Sequence, residues 1–346
     1  MSLLAGTNKT REEWDELTEP FVQVRKKADG LYESLVKEHF VPVFGKSIFG
    51  GSLIAQCILA AYDTVSEDMM LHVSCIFANN RNFTYVMLRR TNMQGKFVDR
   101  ADVHEHIMYH VQKLRNGRSY MTRRVDAKQG DTVLFSVSLS FQLREPNEPT
   151  YFVPPPKVVN LEDFQSLSKD LYDPYVSLRQ VVHPEQCMHA HMRFHDILYS
   201  MRQDHPMYEL LSQWTHDHTH VFPMQSRPAI PTMFDRDGHI APFTKTAYWI
   251  SSRGYCRGPQ SLQQAMLGFH VDQFFLVNMN PNVPTHITTM MASLDHTMWF
   301  YNDFQMCDWL LLVLDNQALN NGRALITGRI YRQDGVLVAV VVRLSH

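Results

Sequence analysis

Two residues remote along this chain have types that together can activate a water molecule. Asp272 lies in the stretch from Leu267 to Phe275, a helical run so apolar that an ionised carboxylate there is costly without partners. Ser293 opens the stretch from Ser293 to Phe300, whose alternation predicts a strand buried on one side with Ser293, Asp295 and Thr297 on its polar face. An acid on a buried helix can take a proton from water, and a short hydroxyl on a strand can hold that water in place. Against this stands a structural reading, in which a helix acid is satisfied by backbone or a basic partner and a strand serine bonds to nearby backbone.

Other residue clusters carry less. His216, His218 and His220 alternate and are predicted to share one face of a strand, but no fixed fourth ligand accompanies them as a metal site requires. His104, His106 and His110 read as surface or strand residues. Gly50-Gly51 is too short for a phosphate-binding loop, and no Gly-x-Ser-x-Gly nucleophile motif occurs, which argues against an α/β-hydrolase route. Cys57, Cys75, Cys187, Cys256 and Cys307 are odd in number and have no metal-ligand spacing, so they read as free thiols filling core in a reducing compartment. No metal and no cofactor is expected.

The totals are those of a globular protein, with 45% hydrophobic and 20% charged residues over a length of 346, enough for two domains. A formal net charge of -2 gives no electrostatic footprint for nucleic acid or an anionic membrane surface. The run from Trp309 to Leu314 is far too short to cross a bilayer, and charges from Lys9 to Glu13 interrupt any signal-peptide core. The chain ends Leu344-Ser345-His346, which is not a Ser-Lys-Leu type of address.

The elements that must position Asp272 and Ser293 occur twice. In the first half a helical segment with Trp14, Leu17 and Phe21 precedes Phe49-Gly50-Gly51-Ser52, where the glycines permit a tight turn into a helix with Leu53, Ile54, Cys57, Ile58 and Ala61 on one face. Strands are predicted over 69–77, 107–114, 119–125 and 132–141, with Asn116-Gly117-Arg118 as a hairpin signal. The second half repeats the order: a helix over 262–277, strands at 293–300 and 309–314, then Asn321-Gly322-Arg323. Beyond that turn Thr327, Arg329 and Ile330 fall at the offsets of Thr122, Arg124 and Val125, and each half closes on a β-branched run. The chain is read as a duplicated unit in which an apolar helix covers an antiparallel sheet.

Phe49-Gly50-Gly51 leading into a helix, Leu294-Asp295-His296-Thr297-Met298-Trp299-Phe300, and Gln333-Asp334-Gly335-Val336-Leu337-Val338-Ala339 together resemble the acyl-CoA thioesterase II family. The resemblance spans both halves and fails in the linker and the insert. It implies an α+β double hotdog fold, two tandem units each with a long helix wrapped by an antiparallel sheet. It also implies hydrolysis of fatty acyl-CoA by a water held between an Asp, a Thr or Ser, and a Gln. Those positions fall on Asp272, Ser293 and Arg343, so this chain departs from the family at the third. A family histidine falls on His72, a second is replaced by Cys75, and Gly51 joins His72 as a substrate-binding candidate.

Arginine only donates hydrogen bonds and is always charged, whereas glutamine is neutral and does both. Contact with Asp272 would tie up the acid's lone pairs and make it a weaker base; an outward turn would cost the water one contact. Reduced activity is the expectation either way, and the competing reading is a non-catalytic acyl-CoA-binding or regulatory protein. A hydratase on the same fold lacks its Asp-His signature. Arg118 and Arg323 are read as solvated, with a CoA phosphate as the alternative partner.

The expected units are a first hotdog domain over 1–145 with an insert near 78–102, a Pro-rich linker and helix over 146–182 with the helix at 161–178, and a second hotdog domain over 183–346. The resemblance points to a peroxisomal or cytoplasmic site, and fold analogy to a homo-oligomer, a dimer or higher. Acyl-CoA is the expected substrate partner, and neither nucleic acid nor membrane is expected.

Overall fold

The computed structural model describes residues 9–42, 48–77, 102–145, 147–166, 179–192, 198–199, 202–204, 208–230, 245–254, 257–277 and 293–345. The first half runs α1 (Arg11–Val22), β1 (Val24–Ala28), β2 (Leu31–Ser34), α2 (Gly50–Tyr62), β3 (Met69–Phe77), β4 (Met108–Asn116), β5 (Tyr120–Gln129) and β6 (Thr132–Leu143). A connecting stretch holds β7 (Lys157–Val159), α3 (Leu161–Ser166) and β8 (Gln180–Val182). The second half runs α4 (Tyr208–His220), β9 (Met224–Pro228), β10 (Lys245–Ser252), α5 (Gln260–Val277), β11 (Ser293–Phe300), β12 (Leu310–Asn320), β13 (Arg323–Tyr331) and β14 (Leu337–Ser345).

All strands but β7 and β8 join one sheet in the order β1-β2-β4-β5-β6-β3-β11-β14-β13-β12-β10-β9. The run β4-β5-β6-β3 is mirrored by β12-β13-β14-β11, and the halves meet where β3 pairs antiparallel with β11, Thr297 opposite Cys75. The two long helices, α2 and α5, pack on each other inside the curve of the sheet. This is the double hotdog, a duplicated α+β unit.

The apolar stripe expected on α2 proves too narrow. Leu53, Ile54, Cys57, Ile58 and Ala61 are buried, but so are Ala55, Gln56 and Ala60, because the sheet wraps one side and α5 covers the other. The two Asn-Gly turns also differ. Asn321 and Gly322 take φ of 49° and 68° between the paired Asn320 and Arg323, a two-residue primed turn. Around Gly117 the loop is wider: Asn116 pairs with Met121, Gly117 N–H donates to the Tyr120 carbonyl at 2.9 Å, and the φ of Gly117 is not positive.

The linker is a cover as well as a connection. Val181 and Phe152 pack with Trp249, Leu311 and Tyr331 on the outer face of the second-half sheet. Trp249 Nε1 donates to the Val182 carbonyl at 2.7 Å and the Tyr331 hydroxyl to that of Val153 at 2.8 Å. Of the helix expected at 161–178, Leu161–Ser166 is helical and 167–178 lies outside the described residues; so does the insert up to residue 101.

Candidate active site

Asp272 stands near the end of α5, 4% exposed, on a helix whose neighbours Phe269, Val271 and Phe274 are all buried. Its partner is Arg343 of β14, with Nη1 at 2.8 Å from Asp272 Oδ1 and side-chain exposures of 0% and 5%. The same nitrogen donates to the backbone carbonyl of Asp272 at 2.6 Å, so one guanidinium corner clamps both the carboxylate and the main chain that carries it. Burial lowers the pKa of Arg343 below its ordinary value while Asp272 acts the other way, and the guanidinium remains a cation. Arg343 therefore turns inward and engages the acid.

The second oxygen, Oδ2, faces the start of α2. A Cβ on Gly50 would lie 3.0 Å from it, and a Cβ on Gly51 would overlap the Phe269 carbonyl oxygen and the Phe49 ring. Neither glycine has a positive φ, so the tight turn expected of them is not their role: they let the first turn of α2 approach α5 and its carboxylate closely. The first amides of a helix have no acceptor within it and favour negative charge. This places a helix N-terminus, Asp272 and Arg343 at one point.

Ser293 enters β11 at a break in register. It pairs with Ser345 while Asp295 pairs with Leu344, so β11 carries a bulge between Ser293 and Asp295. Ser345 is buried and lies two residues from Arg343, on the same face of β14. Within the stretch expected to show a polar face, Asp295 is exposed and Thr297 half-buried while His296 and Met298 are buried, as the alternation predicts; the side chain of Ser293 lies outside the described residues. His296, opposite Arg343 in register, was not singled out from the sequence. Burial and the Arg343 charge push its pKa down to about 3, so it stands neutral beside the ion pair.

His72 does not join this group. Arg343 pairs with His296, which pairs with Ile76 of β3, and His72 lies four residues further along, about 13 Å at strand rise. It occupies a bulge between Leu71 and Val73, beside Tyr62. That is the mirror position of the site: Tyr62 follows the start of α2 by as many residues as Asp272 follows the start of α5. Phe141 in β6, paired with Met121, corresponds to Arg343, paired with Ile326. The ion pair of one half is thus an edge-on Tyr62–Phe141 ring pair in the other, centroids 5.0 Å apart. Tyr62 donates to Gln264 Oε1 at 2.5 Å and accepts from Leu71 N–H at 2.7 Å, tying α5 to β3 across the halves.

The three histidines lie on a helix and share no strand face. His216, His218 and His220 belong to α4, so alternation spreads them round a helix: His218 stacks on Trp214 at 3.8 Å while His216 and His220 face each other at 5.0 Å. Among the described residues no group of three His, Cys, Asp or Glu could hold a metal ion. Arg118 and Arg323 are exposed. Among the described residues, no helix is long and apolar enough to cross a membrane.

A fused pair of hotdog units, with the acid of one helix held against the start of the other, belongs to the class of double-hotdog thioesterases. Residues 41–142 match the family model of the acyl-CoA thioesterase N-terminal domain and residues 203–345 that of the C-terminal domain. The chain belongs to the acyl-CoA thioesterase II family, and with it to the thioester hydrolases. It is 26% identical over 317 residues to human acyl-coenzyme A thioesterase 8, covering 89% of this chain and 82% of that one. It is 22% identical to the Saccharomyces cerevisiae peroxisomal acyl-coenzyme A thioester hydrolase 1, covering 87% and 85%. Among solved structures it is similar to an acyl-CoA thioesterase II of Mycobacterium marinum, with a TM-score of 0.59, 20% identity and coverage of 94% and 96%. A tesB protein of Mycobacterium avium paratuberculosis gives 0.62, 15%, and 96% and 98%. At such identities these two speak for the fold.

Proposed function

We propose that the chain hydrolyses fatty acyl-CoA to free fatty acid and CoA at the junction of α5, β14 and the start of α2. The thioester carbonyl points at the first-turn amides of α2, which receive the developing oxyanion. Asp272 takes the proton of the attacking water, Ser293 orients it, and the tetrahedral intermediate collapses with the CoA sulfur leaving and regaining a proton. The observation that carries this reading is the buried Asp272 carboxylate set against Gly50. His72, remote from the acid, is left with contact to a distant part of the substrate. A thiol-release assay over short, medium and long acyl-CoAs tests it. Release is expected, falling about 100-fold or more in Asp272→Asn, with acyl-CoA affinity kept; release undiminished in that variant overturns the assignment.

One observation favours a second reading, a binder that has lost the chemistry. Arg343 occupies Oδ1, and an engaged carboxylate is a poorer base. Binding without thiol release would select this reading. The unit boundaries at 1–145, 146–182 and 183–346, a homo-oligomeric state and a peroxisomal site stand with the proposal, the last on the name of the yeast relative. Light scattering and imaging of a tagged chain test the last two.

A further inference from the structure

Ser345, the last residue of β14, is fully buried, and its Oγ finds no hydrogen-bond partner among the described residues. On one side its register partner is Ala324 of β13, whose methyl offers no acceptor; on the other it is Ser293, at the bulge of β11. A hydroxyl withdrawn from water and left unpaired lowers stability, and alanine in its place would not. Such a group calls for an occupant that completes it.

Its place in the fold is beside the acid. Alternation along β14 sets Val341, Arg343 and Ser345 on the buried inner face, and β14 advances together with α5. Val341 pairs with Met298, whose sulfur would lie 3.9 Å from a Cβ on Gly268, and Arg343, two residues on, holds Asp272, one helical turn on. Ser345 is the next inward side chain, about 7 Å further at strand rise, toward the end of α5 that carries the acid. The attacking water gives one proton to Asp272 and keeps a second that needs an acceptor. Arg343 and the first amides of α2 only donate, whereas a hydroxyl also accepts. We propose that Ser345 Oγ is a second positioning hydroxyl, accepting the hydrogen bond of the water that attacks the thioester. The water oxygen bonds to the carbonyl carbon, Asp272 takes one proton, and Ser345 holds the other without removing it. The assignment rests on the hydrolase reading above and adds a residue to its site.

The test compares thiol release and urea midpoints of the full chain with those of Ser345→Ala, Ser345→Cys and Ser345→Thr. In the alanine and cysteine variants kcat and kcat/KM should fall together by about tenfold, with KM unchanged, as for a contact made in the transition state. Threonine keeps the hydroxyl and should regain most of the loss. The midpoint of Ser345→Ala should be no lower than that of the parent, since an unpaired hydroxyl is removed; a merely structural role would move stability and leave kcat in place. Parental kcat in Ser345→Ala, or a loss that threonine does not regain, overturns the inference. Should the threonine variant fail to fold, the other two decide: loss in both at an undiminished midpoint supports the assignment, and parental kcat in either overturns it. Asp272→Asn, run in parallel, separates the two readings. Release that falls there but not in Ser345→Ala overturns the serine alone, whereas release undiminished in Asp272→Asn, or absent from the parent, overturns both.

Discussion

In the proposed mechanism two demands compete for the Asp272 carboxylate. A base needs a lone pair for the proton of water, while a buried anion needs a cation or several donors, and Arg343 supplies the second at the expense of the first. Arg343→Gln is therefore expected to move two quantities oppositely. Thioesterase turnover should rise as Oδ1 is released, and a turnover no higher than that of the parent would show that Arg343 does not limit the site. Stability should fall by up to about 3–5 kcal/mol, since removing one partner leaves a buried charge behind, with the glutamine amide recovering part. Urea midpoints of the two proteins measure it.

Helix α2 owes its place to what its first turn lacks. With no Cβ at Gly50 and Gly51, its backbone lies against the Phe269 carbonyl and the Asp272 carboxylate. Gly51→Ala puts a methyl where the Phe269 oxygen already is, and overpacking of this kind costs about 1–3 kcal/mol. The two helices should move apart, so turnover is expected to drop more than acyl-CoA affinity. Full turnover with a lowered urea midpoint would mean that the close approach serves packing alone. The duplicated helix pair holds rings where the site holds the ion pair. In the mirror position Tyr62 and Phe141 pack edge-on, and Tyr62 spends its hydroxyl on Gln264 and Leu71.

Over the whole molecule, several histidines are folded in their neutral form. Burial pushes His270 and His296 down to about 3, Arg343 adding to the effect on His296, and burial with the Arg227 charge does the same to His189. His270 finds no hydrogen-bond partner among the described residues for either ring nitrogen. Unfolded, each binds a proton near the ordinary value of about 6.5. Between that pH and about 3 the unfolded chain holds more protons, so stability rises with pH there. It should be fully present above about pH 7 and decline steadily on acidification. Denaturant midpoints across that range check the sign, and a flat profile from neutral to mildly acid pH would contradict the buried neutral state. The same scale holds a ring cluster in which Phe21 of α1, Phe49 just before α2 and Phe269 of α5 meet only because both halves share one interior.

The duplicated order of elements, the bounds of β3 and β11, the apolar character of both long helices and the motifs of the family were present in the residues themselves. Those features are local, set by alternation, helical spacing and glycine position. Sequence alone also marked Asp272 as an acid in surroundings that oppose its charge. What it did not contain was which neighbours answer that charge. The period-two histidines read as a strand, while Leu211, Trp214, Thr215 and His218 beside them carry the helical spacing that the fold follows. The glycines looked like a turn because their true constraint is α5, more than 200 residues away. The inward Arg343, the bulge that sets Ser293 opposite Ser345, and the separation of His72 from the acid depend on which strands pair and in what register. Only the closed sheet around the two helices decided those pairings, since contacts between residues so distant in the chain exist nowhere before it forms.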